Sequence, residues 1–147
     1  MDGIFALVAF VSGFVIAQFW KLIEGLARRK KRPEMDHFKT AIAYIFRSGG
    51  MPSGHSACMS AITIYFGLAE GINSNIFALA LASATIVIYD ALHVRHAVGE
   101  QGKALNRLLS QNHDTTLPVV EGHIMTEVVV GVILGGLVGF LVYILQG

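Results

Sequence analysis

The sequence predicts an all-α integral membrane protein, and three observations support that fold class. Of its 147 residues, 54% are hydrophobic and only 14% are charged, whereas a soluble domain carries about a quarter charged residues. Four apolar segments are long enough to cross a bilayer core of roughly 30 Å. A formal net charge of +1 excludes a nucleic-acid-binding protein that relies on overall charge. We therefore expect one membrane domain over residues 1–147, with lipid and not nucleic acid as its surroundings.

The four predicted transmembrane spans cover about residues 3–23, 52–68, 76–92 and 124–145. Trp20 and Lys21 near the end of the first span are expected to be interfacial anchors. In the last span, Gly131, Gly135 and Gly139 fall on one helical face, which lets a neighbouring helix approach closely. This stripe favours packing inside the chain, and a homo-oligomer interface is the alternative.

The basic residues indicate the orientation of the spans. Seven lie between the first and second spans and three between the third and fourth: Arg28, Arg29, Lys30, Lys31, Arg32, Lys39, Arg47, and then Arg95, Lys103, Arg107. By the positive-inside rule, both long connections are cytoplasmic. The predicted location is a bacterial-type inner membrane, with the functional site facing the cytoplasm.

Both long connections also carry amphipathic helical patterns, which predict helices that lie at the membrane interface. The apolar positions are Phe38, Ala41, Ile42, Ile45 and Phe46 in the first connection, and Val94, Ala97, Val98, Leu105, Leu108 and Leu109 in the second. The predicted architecture is thus four transmembrane helices plus amphipathic interfacial helices.

Ionisable residues at the ends of membrane helices are costly, and by default they indicate function. In this sequence they gather at the cytoplasmic ends of three predicted spans: His55, Asp90, His93, His123 and Glu127. Because these helix ends share one membrane depth, we expect the side chains to lie close together.

The segment from Pro52 to His55 is typical of an anion-binding helix N-terminus. Pro52 suits the first turn of a helix, which would leave the amides of Ser53, Gly54 and His55 unpaired and available to a phosphate. Gly54 lets an anion approach the backbone, and His55 adds a proton donor. The alternative is a glycine-rich hinge followed by a buried histidine.

His123 and Glu127 are four residues apart and therefore share one helix face. A carboxylate one turn from an imidazole can accept its N–H and leave the other ring nitrogen as a nucleophile or base. Many surface helices contain such a pair without function, but this one stands at the mouth of an apolar span.

Together these segments resemble a known family. The stretch from Pro52 to His55 resembles the central signature of the type 2 phosphatidic acid phosphatases, which are related to vanadium-dependent haloperoxidases. The stretch from His123 to Glu127 resembles the nucleophile motif of that family. The longer segments 49–57 and 89–95, with Gly99, Gln101, Leu105 and Asn106, are similar to its small divergent branch, and the resemblance covers roughly residues 39–131.

The resemblance implies catalytic roles for three residues. His123 would attack phosphorus and carry the phosphoryl group, Glu127 would orient His123, and His55 would protonate the leaving alkoxide and later activate water. Ser53 and the Gly54 amide would hold phosphate oxygens. This chemistry needs no metal or other cofactor.

The sequence departs from the main family in the basic residues of the phosphate site. The first family signature is a lysine, six intervening residues and Arg-Pro, but Gly25 precedes Arg32-Pro33 at that spacing, so we expect Lys39 and Arg47 to act instead. Leu117 occupies the position of the arginine expected six residues before the nucleophile, and we expect Arg95 to replace it.

Two further differences from the family concern the nucleophile's partner and the helix count, and the role of Asp90 has alternatives. Asp90 either pairs with Arg95 or Lys39, which we favour, or contacts substrate. Glu127 replaces the aspartate of the main family, and four spans are fewer than its usual six or so.

The sequence therefore predicts a membrane phosphatase acting on a lipid phosphomonoester such as phosphatidic acid, phosphatidylglycerophosphate or a polyprenyl phosphate. Because Leu117 replaces an arginine, a non-catalytic binder or transporter of anionic lipid is the alternative. A zinc site that uses His55, His93, His123 and Glu127 is a third reading, although their spacing matches no common zinc pattern.

Overall fold

The computed structural model describes residues 2–29, 50–110 and 122–147, and these ranges are helical and loop-connected with no β-strand. The helices are α1 (Asp2–Arg29), α2 (Gly54–Ala69), α3 (Asn75–Tyr89), a π-helical turn (Asp90–Val94), α4 (Arg95–Ser110) and α5 (Met125–Leu145). The predicted all-α fold class is confirmed. The amphipathic segment predicted between Phe38 and Phe46, with Lys39 and Arg47, lies outside the described residues, as does Leu117.

Among the described residues, three helical stretches are long and apolar enough to cross a membrane: Gly3–Gly25, Asn75–Leu109 and Met125–Leu145. They contain the first, third and fourth predicted spans. The count of four spans is not confirmed, because α2 has 16 residues and measures about 24 Å at 1.5 Å per residue, against a bilayer core of roughly 30 Å.

The short helix α2 lies at the centre of the bundle and packs against α1, α3 and α5. Ala57, Ala61 and Tyr65 on α2 are completely buried. The hydroxyl of Ser60 donates to the carbonyl oxygen of Val132 on α5 at 2.8 Å, so its polar group is satisfied inside the bundle. The Ser53 amide before α2 bonds the Glu127 carbonyl oxygen of α5, so the first turn of α2 lies at the end of the bundle where the predicted site residues lie.

The glycine stripe of α5 packs against α2 in the same chain. A Cβ atom built on Gly131, Gly135 or Gly139 would come closer than 3.0 Å to the carbonyl oxygens of Ser53, Ala57 and Ala61, respectively. Only glycine permits backbones to approach this closely. The structure thus places all three glycines in packing inside the chain, the first of the two alternatives.

Candidate active site

The signature segment begins α2, with Ser53 as its N-cap. The Ser53 hydroxyl oxygen accepts hydrogen bonds from the Ser56 amide at 3.4 Å and the Ser56 hydroxyl at 3.0 Å. The prediction that Pro52 lies in the first helical turn was wrong, since α2 begins at Gly54 and Pro52 precedes the cap. Ser53 is 0% exposed, so its side chain stabilises the helix end, a role that the sequence did not indicate.

The Ser53 amide, expected to be unpaired, donates to the carbonyl oxygen of Glu127 at 2.9 Å. This bond ties the start of α2 to the first turn of α5. The amides of Gly54 and His55 occupy the first turn of α2, where helical N–H groups have no acceptor within the helix. His55 itself is exposed. The anion-binding end of α2 thus consists of the two amides after Ser53, with the His55 side chain beside them.

His123 and Glu127 form the predicted pair at the start of α5. The Nδ1 atom of His123 lies 2.8 Å from a carboxylate oxygen of Glu127, and the two side chains are 6% and 16% exposed. The same carboxylate oxygen accepts from the Ile124 amide at 3.3 Å. With Nδ1 engaged by Glu127, the lone pair of His123 resides on Nε2, which can act as a nucleophile.

Burial lowers the pKa of His123 below its ordinary value, and nearby Lys21 and Arg95 lower it further. The hydrogen bond with Glu127 and its negative charge act in the opposite direction but do not cancel the effect of burial. A lowered pKa keeps the imidazole neutral, the form in which it can attack phosphorus.

Lys21, which the sequence predicts to be an interfacial anchor, lies beside the candidate site. Its side chain is buried, with the residue only 7% exposed. It lies within electrostatic range of Glu127, His55 and His123. An ammonium group inside a protein needs negative charge nearby, and the Glu127 carboxylate supplies negative charge within electrostatic range.

A sequence signal for Lys21 was available. Lys21 is followed by six residues and then Arg28, which is the lysine-to-arginine spacing of the first signature of the phosphatase family. Arg29 stands where that signature has proline. The missing proline and the position of Lys21 at the end of an apolar helix concealed the match.

Arg95 and Asp90 are joined across the π-helical turn. The Nε atom of Arg95 donates to a carboxylate oxygen of Asp90 at 2.8 Å, and the Arg95 amide donates to the Asp90 carbonyl oxygen. Residues five apart are about 140° apart around an α-helix, so the wider π-helical turn is what brings them to one face. Since Asp90 engages Nε, the two terminal nitrogens of Arg95 remain for an anion.

The structure brings most of the predicted site residues together. His55 lies within electrostatic range of His123, Arg95 and Asp90. The backbone of Gly122 approaches that of Arg95 and His96 so closely that a Cβ atom on Gly122 would clash with it. This contact holds His123 beside the start of α4.

His93 is directed elsewhere, because its ring stacks on that of Tyr89 with centroids 4.2 Å apart, and both residues are exposed. Within residues 2–29, 50–110 and 122–147, no group of three or more histidine, cysteine, aspartate and glutamate residues is arranged to hold a metal ion.

The fold and the site define a helical membrane protein with a buried histidine–carboxylate pair beside cationic side chains and a helix N-terminus. The chain belongs to the Divergent PAP2 family, whose model matches residues 4–138. This confirms the resemblance carried by the motifs, and membership in the family favours a phosphatase-like role.

A curated relative supports the membrane assignment. The chain is 40% identical over 62 residues to the uncharacterized membrane protein YuiD of Bacillus subtilis (strain 168). The match spans 42% of this chain and 39% of the length of the relative. No solved structure matches the chain.

Proposed function

We propose that the protein is a membrane-embedded phosphatase that hydrolyses a lipid phosphomonoester through a phosphohistidine intermediate. The observation that carries the proposal is the buried bond of 2.8 Å between Nδ1 of His123 and Glu127, located within electrostatic range of His55, Lys21 and Arg95. An oriented neutral imidazole beside positive charge is suited to attack on a phosphoryl group.

In the first step, the Nε2 lone pair of His123 attacks phosphorus. A P–N bond forms while the P–O bond to the lipid alcohol breaks. Burial and the neighbouring cations lower the pKa of His55, and the negative charge of the bound phosphate offsets them. Protonated His55 then gives its proton to the departing alkoxide, which leaves as a neutral alcohol. Glu127 stabilises the positive charge that develops on the His123 ring.

In the second step, neutral His55 removes a proton from water as the water oxygen attacks the phosphohistidine. The P–N bond breaks, its electron pair returns to Nε2 of His123, and inorganic phosphate is released. His55 is again protonated, so both catalytic groups are ready for another cycle. The histidines and water supply all the proton transfers, and the chemistry requires no metal.

The phosphate oxygens would be held by the Gly54 amide, Lys21 and Arg95. Lys21 adds a buried positive charge to the basic residues proposed from the sequence, Lys39 and Arg47, and Arg95 serves in place of the arginine missing at Leu117. Spreading positive charge around the equatorial oxygens stabilises the transition state of phosphoryl transfer. Ser53 supports this cradle as the cap of α2.

The substrate is drawn from phosphatidic acid, phosphatidylglycerophosphate and polyprenyl phosphates, whose tails stay in the bilayer while the phosphate enters the site. We assign the site to the cytoplasmic face of a bacterial-type inner membrane, because the basic residues lie in the connections at that end of the helices.

The test is phosphate release from this lipid panel by the purified, reconstituted protein. Wild type should release phosphate, and His123→Ala should lower the rate by about 10³-fold or more. His93→Ala is the matched control, because its exposed ring stacks on Tyr89, and it should retain wild-type activity. Full activity of His123→Ala would refute the proposal. Tight phosphate or vanadate binding with no turnover by wild type would support the non-catalytic lipid binder instead.

A further inference from the structure

A cavity of about 180 Å³ adjoins the His123–Glu127 pair. Its walls come from the loop before α2, one face of α4 and the start of α5: Gly50, His96, Gly99, Glu100, Lys103, Gly122, Ile124 and Glu127. This volume is large enough for a small polar group or several water molecules. Glu127 lines the cavity and also bonds His123, so the cavity borders the His123–Glu127 pair.

The lining offers both hydrogen-bond donors and acceptors. Lys103 donates to Glu100 at 3.0 Å, which uses one of its three N–H groups and leaves two. Glu100, Glu127 and His96 add acceptors, and the ring of His96 can also donate. The charges of Lys103 and Glu100 offset one another, so the cavity suits uncharged hydroxyl groups better than a second anion.

The opposite face of α4 indicates where the cavity lies relative to the membrane. The four lining residues of α4 fall within about 100° of arc at 100° per residue. Apolar residues of α4 and of the π-helical turn before it lie on the other side, each about half exposed: Val94, Val98, Leu105 and Leu108. A helix that is apolar on one face and polar on the other is suited to the membrane interface. In that position its polar face would stand at the depth of lipid headgroups.

We infer that this cavity is a subsite for the hydroxyl-bearing part of a lipid headgroup, such as a glycerol unit with free hydroxyls. The inference rests on the proposed function and narrows its substrate class. It favours phosphatidylglycerophosphate, which carries a free hydroxyl next to its terminal phosphate, over phosphatidic acid and polyprenyl phosphates, which carry none.

The first test compares kcat/KM values among lipid substrates with and without a free hydroxyl. Besides phosphatidylglycerophosphate, it uses lysophosphatidic acid and phosphatidic acid, a pair that differs in one free hydroxyl and one acyl chain. Lys103→Met should lower the ratio of kcat/KM for phosphatidylglycerophosphate to that for phosphatidic acid by about tenfold, the effect of losing a hydrogen bond to a charged group. Lys103→Met should also lower the ratio of kcat/KM for lysophosphatidic acid to that for phosphatidic acid. Gln101→Met, which lies on α4 away from the cavity, should leave both ratios unchanged. Unchanged ratios in Lys103→Met would overturn the inference.

A binding test separates the inference from the proposed function. In a His123→Ala background, Ile124→Cys places a thiol in the cavity wall, while native Cys58 is buried. Phosphatidylglycerophosphate should slow maleimide labelling at Ile124→Cys more than phosphatidic acid does, and should not slow labelling at Gln101→Cys.

Equal protection by both lipids, or none, would refute the subsite while leaving the phosphatase proposal intact. Selective protection in a protein whose wild type hydrolyses no lipid would refute the phosphatase proposal and support the subsite.

Discussion

The amide of Ser53 donates a hydrogen bond to the carbonyl oxygen of Glu127 at 2.9 Å. Ser53 caps the helix that carries His55, and Glu127 orients His123. One turn further, Gly131 packs directly on the Ser53 backbone. A single backbone bond and a glycine contact thus fix the spacing between the two helix ends that bear the proposed catalytic histidines.

The first prediction concerns pH. Because burial holds the pKa of His123 below its ordinary value, the ring stays neutral below about pH 6.5, where a free histidine becomes protonated. Activity should be lost as pH falls through this lowered pKa. Glu127→Gln removes a charge that raises the pKa, so the acid limb of kcat/KM should move to still lower pH, while kcat falls by about 10²-fold. Both profiles are measured with the same substrate, so the titration of its phosphate affects them equally. An acid limb of Glu127→Gln that moved to higher pH would contradict the assignment.

The second prediction concerns Lys21. Lys21→Met should lower kcat/KM for a lipid phosphate by about 10-fold to 100-fold, because a charge-assisted hydrogen bond is worth about 1.5–3 kcal/mol. Its thermal unfolding temperature without substrate should change little, since methionine is of similar size and avoids the cost of burying an ammonium group, while Glu127 keeps its bonds to His123 and the Ile124 amide. Lys21→Arg keeps the charge and should retain more activity. If the unfolding temperature of Lys21→Met fell enough to account for its loss of activity, Lys21 would be only structural.

The third prediction concerns the Asp90–Arg95 pair. The side chains are 38% and 42% exposed, so the ion pair adds little to stability and Asp90→Asn should leave the unfolding temperature nearly unchanged. The same variant should raise KM, because the Arg95 guanidinium is no longer held towards the phosphate. Arg95→Ala should raise KM further, by about tenfold or more. If Asp90 acts by positioning Arg95, the double variant should have the same KM as Arg95→Ala. Additive increases in KM would argue against positioning by Asp90.

The fourth prediction concerns the contact between α2 and α5. Gly135→Val forces a side chain against the Ala57 carbonyl group and should lower the free energy of unfolding by about 1–3 kcal/mol or more. Gly136→Ala is the matched control, since its Cβ atom would lie 3.7 Å from the Ser60 hydroxyl, an ordinary contact. Thermal unfolding in detergent measures both, and a Gly135→Val variant as stable as Gly136→Ala would contradict the close packing.

Much of the site could be predicted from the sequence because its pairings are local. His123 and Glu127 meet because they are four residues apart on one helix, and Ser53 and His55 belong to one helix start. The Asp90–Arg95 pair was anticipated as one of two alternatives, although its geometry depends on a π-helical turn that no periodicity in the sequence indicated.

Predictions that depended on contacts between segments were less successful. Pro52 was placed inside the helix because its residue type suits a first turn, but the hydrogen bond from Ser53 to Glu127 fixes the helix start after it. The end of an apolar helix favours an interfacial anchor at Lys21, and only the packing of α1 in the bundle reveals that this side chain is buried.

The sequence by itself determined that this is an all-helical membrane protein of a phosphatase-like family, because composition, helical periodicity and motif spacing are properties of single segments. The tertiary structure decided that α2 is a short central helix, that the glycine stripe serves internal packing and that Lys21 lies beside His55 and His123. These features arise from the approach of helices distant in sequence, and the free energy of that approach depends on how whole surfaces fit together.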